Sequence, residues 1–315
     1  MRRVFISSFI VGISLLCLVP LFAGGTDEGT NKPKQVTIGI TYQKLSNEFI
    51  AKMQKGVLSE AQQLGVKLIE ADGEGDPAKQ IAQAENFVTQ KVDVIILNPY
   101  DKHASAPVVE IGNKAGIPVI DVNSFVENLD QCRAFVGSDD PYSGVLEMEQ
   151  MAKVLNGKGN IVEIQGPIGH SGQIARDAGF AEVLAKYPNI KIIAKQTANW
   201  DRAQALALTE NWLTAGLPID GILAQNDDMA LGALKAVIDA GKSIPVMGID
   251  AIPEALKAVK DGTLAATVFQ DALGQGSGAV KAAYDLIALK KDIPKRIIIP
   301  YVLVTKDNVD QYFGK

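Results

Sequence analysis

The chain has 315 residues, enough for two domains of ordinary size, each with its own core. Its 47% hydrophobic and 6% aromatic content fits a globular α/β protein and excludes fibrous and disordered classes. The net charge of −5, from 31 Lys and Arg against 36 Asp and Glu, comes without a long basic run and argues against a nucleic-acid partner.

Taken in chain order, residues 1–23 have the layout of a secretory signal peptide. Arg2 and Arg3 precede an apolar stretch from Val4 to Val19, which ends in small residues at Ala23-Gly24-Gly25. That stretch is short for a membrane span of about 20 residues. Cys17 follows Leu16 rather than a small residue, so lipid attachment is not expected. Cleavage is expected after Ala23, and residues 24–34 (GGTDEGTNKPK) are expected to form a flexible leader. The mature chain keeps one cysteine, Cys132, which rules out an intramolecular disulfide framework. With two histidines in the whole chain, a zinc site is not expected either.

From Gln35 onward short β-branched runs alternate with helical patterns. Strands are predicted at 36–42, 66–71, 92–98 and 117–123, and helices at 47–64, 77–90 and 102–115. In the first helix Ile50, Met53, Val57, Ala61 and Leu64 recur at spacings of three and four, which is one helical face. The runs VDVIIL and IPVI are almost continuously apolar, as in parallel strands covered on both faces. The rhythm then restarts. Strands are predicted at 160–166, 190–196, 219–226, 244–250 and 264–270, with helices at about 141–155, 171–186, 201–214, 227–240 and 252–261. Two runs of about five βα units imply an α/β fold of two doubly wound parallel sheets with right-handed crossovers. The segments KAGIPVIDVN and DAGKSIPVMGID echo each other and put Asn123 and Asp250 at equivalent places in the two halves.

Open parallel sheets bind ligands outside the carboxyl ends of their strands. In the first half the residues there are Tyr42 to Phe49, Asn98 and Asn123; in the second they are Gly166 to Arg176, Trp200, Asn226, Asp250 and Gln270. This set is rich in amides and carboxylates, has one guanidinium and a few aromatics, and offers no nucleophile–base pair. Such a mixture suits neutral polyols, because amides donate and accept to hydroxyls, carboxylates accept hydroxyl protons, and aromatic faces cover C–H surfaces. At the second-half junction AQNDDMALGAL, Asn226 is expected to face ligand while Asp227 and Asp228 cap the helix. Trp212, at helical spacing from Leu208, is expected in the core. Arg176 has a plainer alternative in a surface pair with Asp177 or Glu182, and His170 in a loop without a role. Neither GEGDPAKQ nor GQGSG (274–278) has a phosphate-cradling pattern, so no nucleotide and no cofactor is expected.

AQNDDMALGAL, the GID ending at Asp250, LAATVFQ ending at Gln270, NPYD (98–101) and ANWDRAQAL (198–206) together resemble the periplasmic sugar-binding proteins of ABC transporters, in the ribose/galactose branch. The resemblance runs from about Val36 to Val304. It implies a type I periplasmic binding fold with two Rossmann-like lobes, 35–138 plus 271–298 and 139–270 plus 299–315, joined by three crossing segments. It implies ligand contacts at Asn47, Phe49, Asn123, His170, Arg176, Trp200, Asn226, Asp250 and Gln270, with Phe49 and Trp200 stacking on the ring. It also implies an exported, non-enzymatic monomer whose partners are a sugar and a membrane permease or chemoreceptor. Ribose binders carry Asp-Arg where this chain has Asn123-Ser124, and a Phe where Ile50 stands, so the resemblance favours a cyclitol or hexose over ribose. The segments 166–179, 197–206 and 267–276 look closest to inositol binders. Two other classes share parts of this pattern. Repressor effector domains have the same core but carry a DNA-binding segment where this chain has its signal sequence. An exported sugar-acting enzyme would need paired carboxylates, for which Asp250 with Asp227 or Asp228 are the only candidates in view.

Overall fold

The computed structural model describes residues 35–315; the signal and leader assignments lie outside the described residues. The first half runs β1 (Thr37–Tyr42), α1 (Glu48–Leu64), β2 (Lys67–Asp72), α2 (Pro77–Thr89), β3 (Val94–Leu97), α3 (Pro107–Lys114), β4 (Val119–Asn123) and β5 (Ala134–Gly137). The second runs α4 (Asp140–Val154), β6 (Lys158–Gln165), α5 (Ser171–Leu184), β7 (Asn189–Thr197), α6 (Arg202–Thr214), β8 (Gly221–Ala224), α7 (Asp227–Asp239), β9 (Val246–Asp250), α8 (Pro253–Asp261) and β10 (Ala266–Phe269). Helix α9 (Ala272–Ile287) and strands β11 (Arg296–Ile298) and β12 (Val302–Val304) close the chain.

Two six-stranded sheets result, ordered β2-β1-β3-β4-β5-β11 and β7-β6-β8-β9-β10-β12. The orders are the same, and in each the winding reverses at the first strand, next to β3 or β8. The sheets are parallel except at β12, which pairs antiparallel with β10. Strands β3, β4, β5, β8, β9 and β10 are buried along their whole lengths, which explains their unbroken apolar runs. The chain passes between the sheets three times. It leaves β5 for α4, which packs on β9 and β10; it leaves β10 for α9, which packs on α1 and β4; and it runs from β11 to β12.

The structure corrects the sequence reading at several elements. Helix α3 begins at Pro107 rather than at 102, because the Asp101 carboxylate accepts from the amides of His103 and Ala104 and holds that stretch in a turn. Strands β5, β11 and β12 have no counterpart in the sequence pattern; β11 and β12 are only three residues long, too short for a pattern to emerge. Helix α9 has none either. Its glycines, considered in the sequence only as a phosphate-cradling candidate, let the helix lie directly on α1. A Cβ at Gly276 would sit 2.2 Å from the Met53 carbonyl oxygen, and one at Gly56 would sit 2.3 Å from that of Leu273. The same close approach joins α4 to α5, where a Cβ at Gly144 would sit 2.3 Å from the Arg176 carbonyl oxygen. That contact sets the height at which the Arg176 side chain enters the space between the sheets.

Candidate functional site

The carboxyl ends of the two sheets face one cavity of about 210 Å³. Drug-sized sites run to roughly 300–1,000 Å³, so this one suits a single small molecule. All nine residues singled out in the sequence line it: Asn47, Phe49, Asn123, His170, Arg176, Trp200, Asn226, Asp250 and Gln270.

The first-sheet wall is built of amides. Asn47 caps α1, its Oδ1 accepting from the Ile50 amide at 3.1 Å, and Phe49 is buried one residue into that helix. Asn123 sits at the tip of β4 in the left-handed region, φ 69°, where Asn is among the best-tolerated non-glycine residues. Its Nδ2 donates to Gln275 Oε1 at 3.0 Å, and Gln275 in turn donates to Ser138 Oγ at 2.9 Å. Asn98 is fully buried behind it and does not reach the cavity; its Oδ1 accepts from the Gln43 amide and its Nδ2 donates to the Val122 carbonyl.

The second-sheet wall carries charge. Arg176 is 6% exposed and far from the surface pairing that its neighbours on α5 offered. Its Nη1 donates to the Gln225 carbonyl, and its Nη2 lies 3.3 Å from both Gln270 Oε1 and the Tyr301 hydroxyl. Asp140, 3.8 Å from Nη2, also accepts from Tyr301. Burial works against the guanidinium's charge, but Tyr301, Asp140 and Asp250 outweigh it and raise its pKa. The Arg176 Nε and Gln270 Nε2 groups are buried at the cavity without a protein hydrogen-bond partner. A buried N–H without an acceptor is costly, so these donors define where a ligand oxygen would be held.

Asp250 stands opposite this array. Its carboxylate makes no hydrogen bond or ion pair among the described residues, and burial pushes its pKa well above the ordinary range against the pull of Arg176. It and Ala251 both have positive φ, 127° and 54°. Asp227 braces that strained turn: its carboxylate accepts from the Ile252 amide at 3.0 Å and from Thr267 Oγ1 at 2.7 Å. Burial raises the Asp227 pKa to about 7.

The AQNDD junction therefore works differently from the sequence reading. Asn226 is the cap of α7, its Oδ1 accepting from the Met229 amide at 3.0 Å, while its remaining amide group faces the cavity. Strand β8 ends at Ala224 and α7 begins at Asp227, so the strand-tip residue is itself the cap position. Asp227 and Asp228 are first-turn residues, not caps. Asp228 lines the cavity and pairs with Arg202 at 3.0 Å. Trp200 and Asn199 both have φ above 50°, and the Trp200 ring lies where a Cβ on Gly166 would be, 2.1 Å from its nearest atom. The Arg176 guanidinium stands 5.5 Å over that ring and the His170 ring meets it edge-on at 5.3 Å. Trp212 lies in the hydrophobic core, as its helical spacing predicts. Tyr100, Asn199 and Arg202 also line the cavity without being singled out in the sequence, as do Gln43, which the sequence reading placed among the strand-end residues, and Asp228, which it placed at the helix cap. Gln43 follows strand β1 directly and Asn199 stands two residues past β7, positions that a search for strand tips can use. Among the described residues no His, Cys, Asp and Glu cluster could hold a metal ion.

Two equivalent doubly wound sheets, three chain crossings and a polar cleft at the facing strand ends are the architecture of a type I periplasmic binding protein. Residues 38–291 match the periplasmic binding protein domain family. The chain belongs to that family of solute-binding proteins, among its ribose/galactose/inositol-type sugar-binding members. It is 42% identical to an ABC transporter solute-binding protein from Bacillus halodurans solved with bound myo-inositol, with a TM-score of 0.86 over 90% of this chain and 99% of that one. A xylitol-binding protein of Mycolicibacterium smegmatis is 38% identical over 91% of this chain and 82% of its own length. A putative rhizopine-binding protein of Rhizobium meliloti is 37% identical over 98% of this chain and 99% of its own.

Proposed function

We propose that this protein is an exported binding protein that captures one cyclitol or monosaccharide between two closing lobes and delivers it to an ABC transporter permease. The observation that carries the reading is the pairing, within one small cavity, of unpartnered donors at Arg176 and Gln270 with an unpartnered acceptor at Asp250. A ring bearing hydroxyls on several edges satisfies both, since each hydroxyl donates once and accepts twice. Phe49 and Trp200 supply the apolar surface for the ring's C–H faces. Arg176 directs three of its five N–H groups to the protein wall, and its Nε, which has no protein partner, is the buried donor left for the ligand. The lobes are 35–138 plus 271–298 and 139–270 plus 299–315, and the segments that cross between the sheets act as the hinge. The resemblance to a myo-inositol complex and to a xylitol binder favours cyclitols and linear polyols over ribose.

A thermal-shift screen of residues 24–315 tests this, with myo-inositol, xylitol, glucose, galactose, ribose, a nucleoside and an amino acid as the panel. A ligand at a hundredfold excess over its Kd adds about 2.7 kcal/mol to stability. A clear upward shift is expected with myo-inositol or another polyol. A shift with the nucleoside or amino acid alone would overturn the assignment.

A further inference from the structure

The segment Gly169–Ser171, between β6 and α5, is tied to the opposite wall of the cleft by three consecutive residues. The Gly169 carbonyl accepts from the Lys102 amide at 3.0 Å. His170 Nε2 lies 3.0 Å from Gln43 Oε1, and Ser171 Oγ accepts from the Phe125 amide at 2.9 Å. Lys102, Gln43 and Phe125 all belong to loops at the carboxyl ends of first-sheet strands, so every one of these bonds spans the cleft. Gly169 is fitted to the contact: its φ is 97°, and a Cβ there would sit 2.4 Å from the Asp101 carboxylate.

The His170 ring has no nitrogen to spare. Nδ1 accepts from the Gly172 amide at 3.0 Å as the cap of α5, which fixes the proton on Nε2, and Nε2 then donates to Gln43. Burial, with Arg176 nearby, pushes the imidazole pKa down to about 3, so this neutral tautomer persists at ordinary pH. His170, Ser171 and Gln43 are buried together at 5%, 2% and 7% exposure.

We propose that Gly169–Ser171 is a latch that holds the lobes closed through Lys102, Gln43 and Phe125, and that His170 serves the latch rather than hydrogen-bonding the ligand. Nothing comparable is seen at Arg202, which pairs with Asp228 and Glu254 on its own side of the cleft. The closed arrangement is thus fastened by bonds between the two walls, and their strength sets part of the affinity for whatever the cleft binds. Gln43, Ser171 and Gly169 are therefore positioning residues for closure. The proposal rests on the cleft being the binding site, but its first test needs no ligand.

A spin label on His103→Cys sits one residue from Lys102, in an exposed turn. Its paramagnetic broadening of amides near Gly169 reports how often the ligand-free lobes close. Ser171→Ala and Gln43→Ala, one on each side of the cleft, are expected to lower that closed population about threefold to tenfold, the effect of one lost hydrogen bond. Unchanged broadening in both variants would overturn the latch. The second test is a cycle of myo-inositol affinities for Gln43→Ala, His170→Ala and the double variant. The latch predicts that both single variants lose similar affinity and that the double loses little more. A larger loss in His170→Ala, adding to that of Gln43→Ala, would make His170 a ligand contact instead. If no polyol binds, the ligand assignment falls while the broadening experiment still decides the latch.

Discussion

The two walls of the cleft descend from the same topology but are built from different chemistry. At the tip of β4 the first sheet places Asn123 in a chain of neutral amides running through Asn98, Gln275 and Ser138. At the equivalent tip of β9 the second sheet places Asp250 beside Arg176, Asp140 and Asp227, all buried. An amide wall can be satisfied by the protein itself and lies ready. A charged wall stores unsatisfied groups, which favour whatever molecule completes them. Equivalent positions in a duplicated architecture therefore need not share a role.

The largest expected effect comes from removing the charge that holds the second wall together. Arg176→Met leaves Asp140, Asp250 and Glu147 buried without the cation that acts on all three. Breaking such a buried pair costs about 3–5 kcal/mol, so denaturant titration should show a loss of that order, and ligand binding should disappear. A loss below about 1 kcal/mol would mean the carboxyls are neutral without help from Arg176.

Asn123→Ala tests the first wall. It removes the donor to Gln275 and puts Ala at φ 69°. One lost hydrogen bond and a left-handed alanine together cost about 1–3 kcal/mol, smaller than the arginine change. Equal losses from the two substitutions would erase the contrast between the walls.

The buried carboxyls behind the second wall should also show in pH dependence. Glu163, buried against Gln225, shares a hydrogen bond with Asp177, and burial first, then Asp177, raises its pKa to about 8 from 4.5, despite Lys195 at 2.9 Å. A carboxyl whose folded pKa is raised favours the folded state fully below its unfolded value, and that contribution fades as pH climbs towards the folded value. Asp227, at about 7, acts in the same direction. His170 acts oppositely, losing its contribution as pH falls from 6.5 towards 3, so it is silent above pH 6.5. Stability should therefore fall by about 1–2 kcal/mol between about pH 6.5 and 8, and Glu163→Gln should flatten that slope. A slope unchanged in the variant would assign it elsewhere.

Much of this was legible in the sequence. The rhythm of βα units marks both sheets, and the rule that parallel sheets bind at their carboxyl ends collects nine residues that the fold does bring to one cavity. What escaped has physical reasons. Helix α9 is held by the close approach of Gly276 to α1, which no periodicity displays, and β11 and β12 are three-residue strands fixed only by their neighbours. The exchange of roles at AQNDD arises because Asp beside a cap looks like a cap; only the tertiary position of Thr267 and the Ile252 amide turns Asp227 inward. The bond between Gln43 and His170 joins residues 127 positions apart, a pairing invisible to any local pattern.

We propose that the cleft binds a polyol through its second wall. Calorimetric titration of myo-inositol into the wild type and into Asp250→Ala, side by side, decides it. Saturable one-to-one binding is expected for the wild type and at least a roughly tenfold loss in the variant, since a buried group left without its hydrogen-bond partner costs about 1–3 kcal/mol. Equal affinity in the two proteins would contradict the claim, as would the absence of heat with every polyol tried.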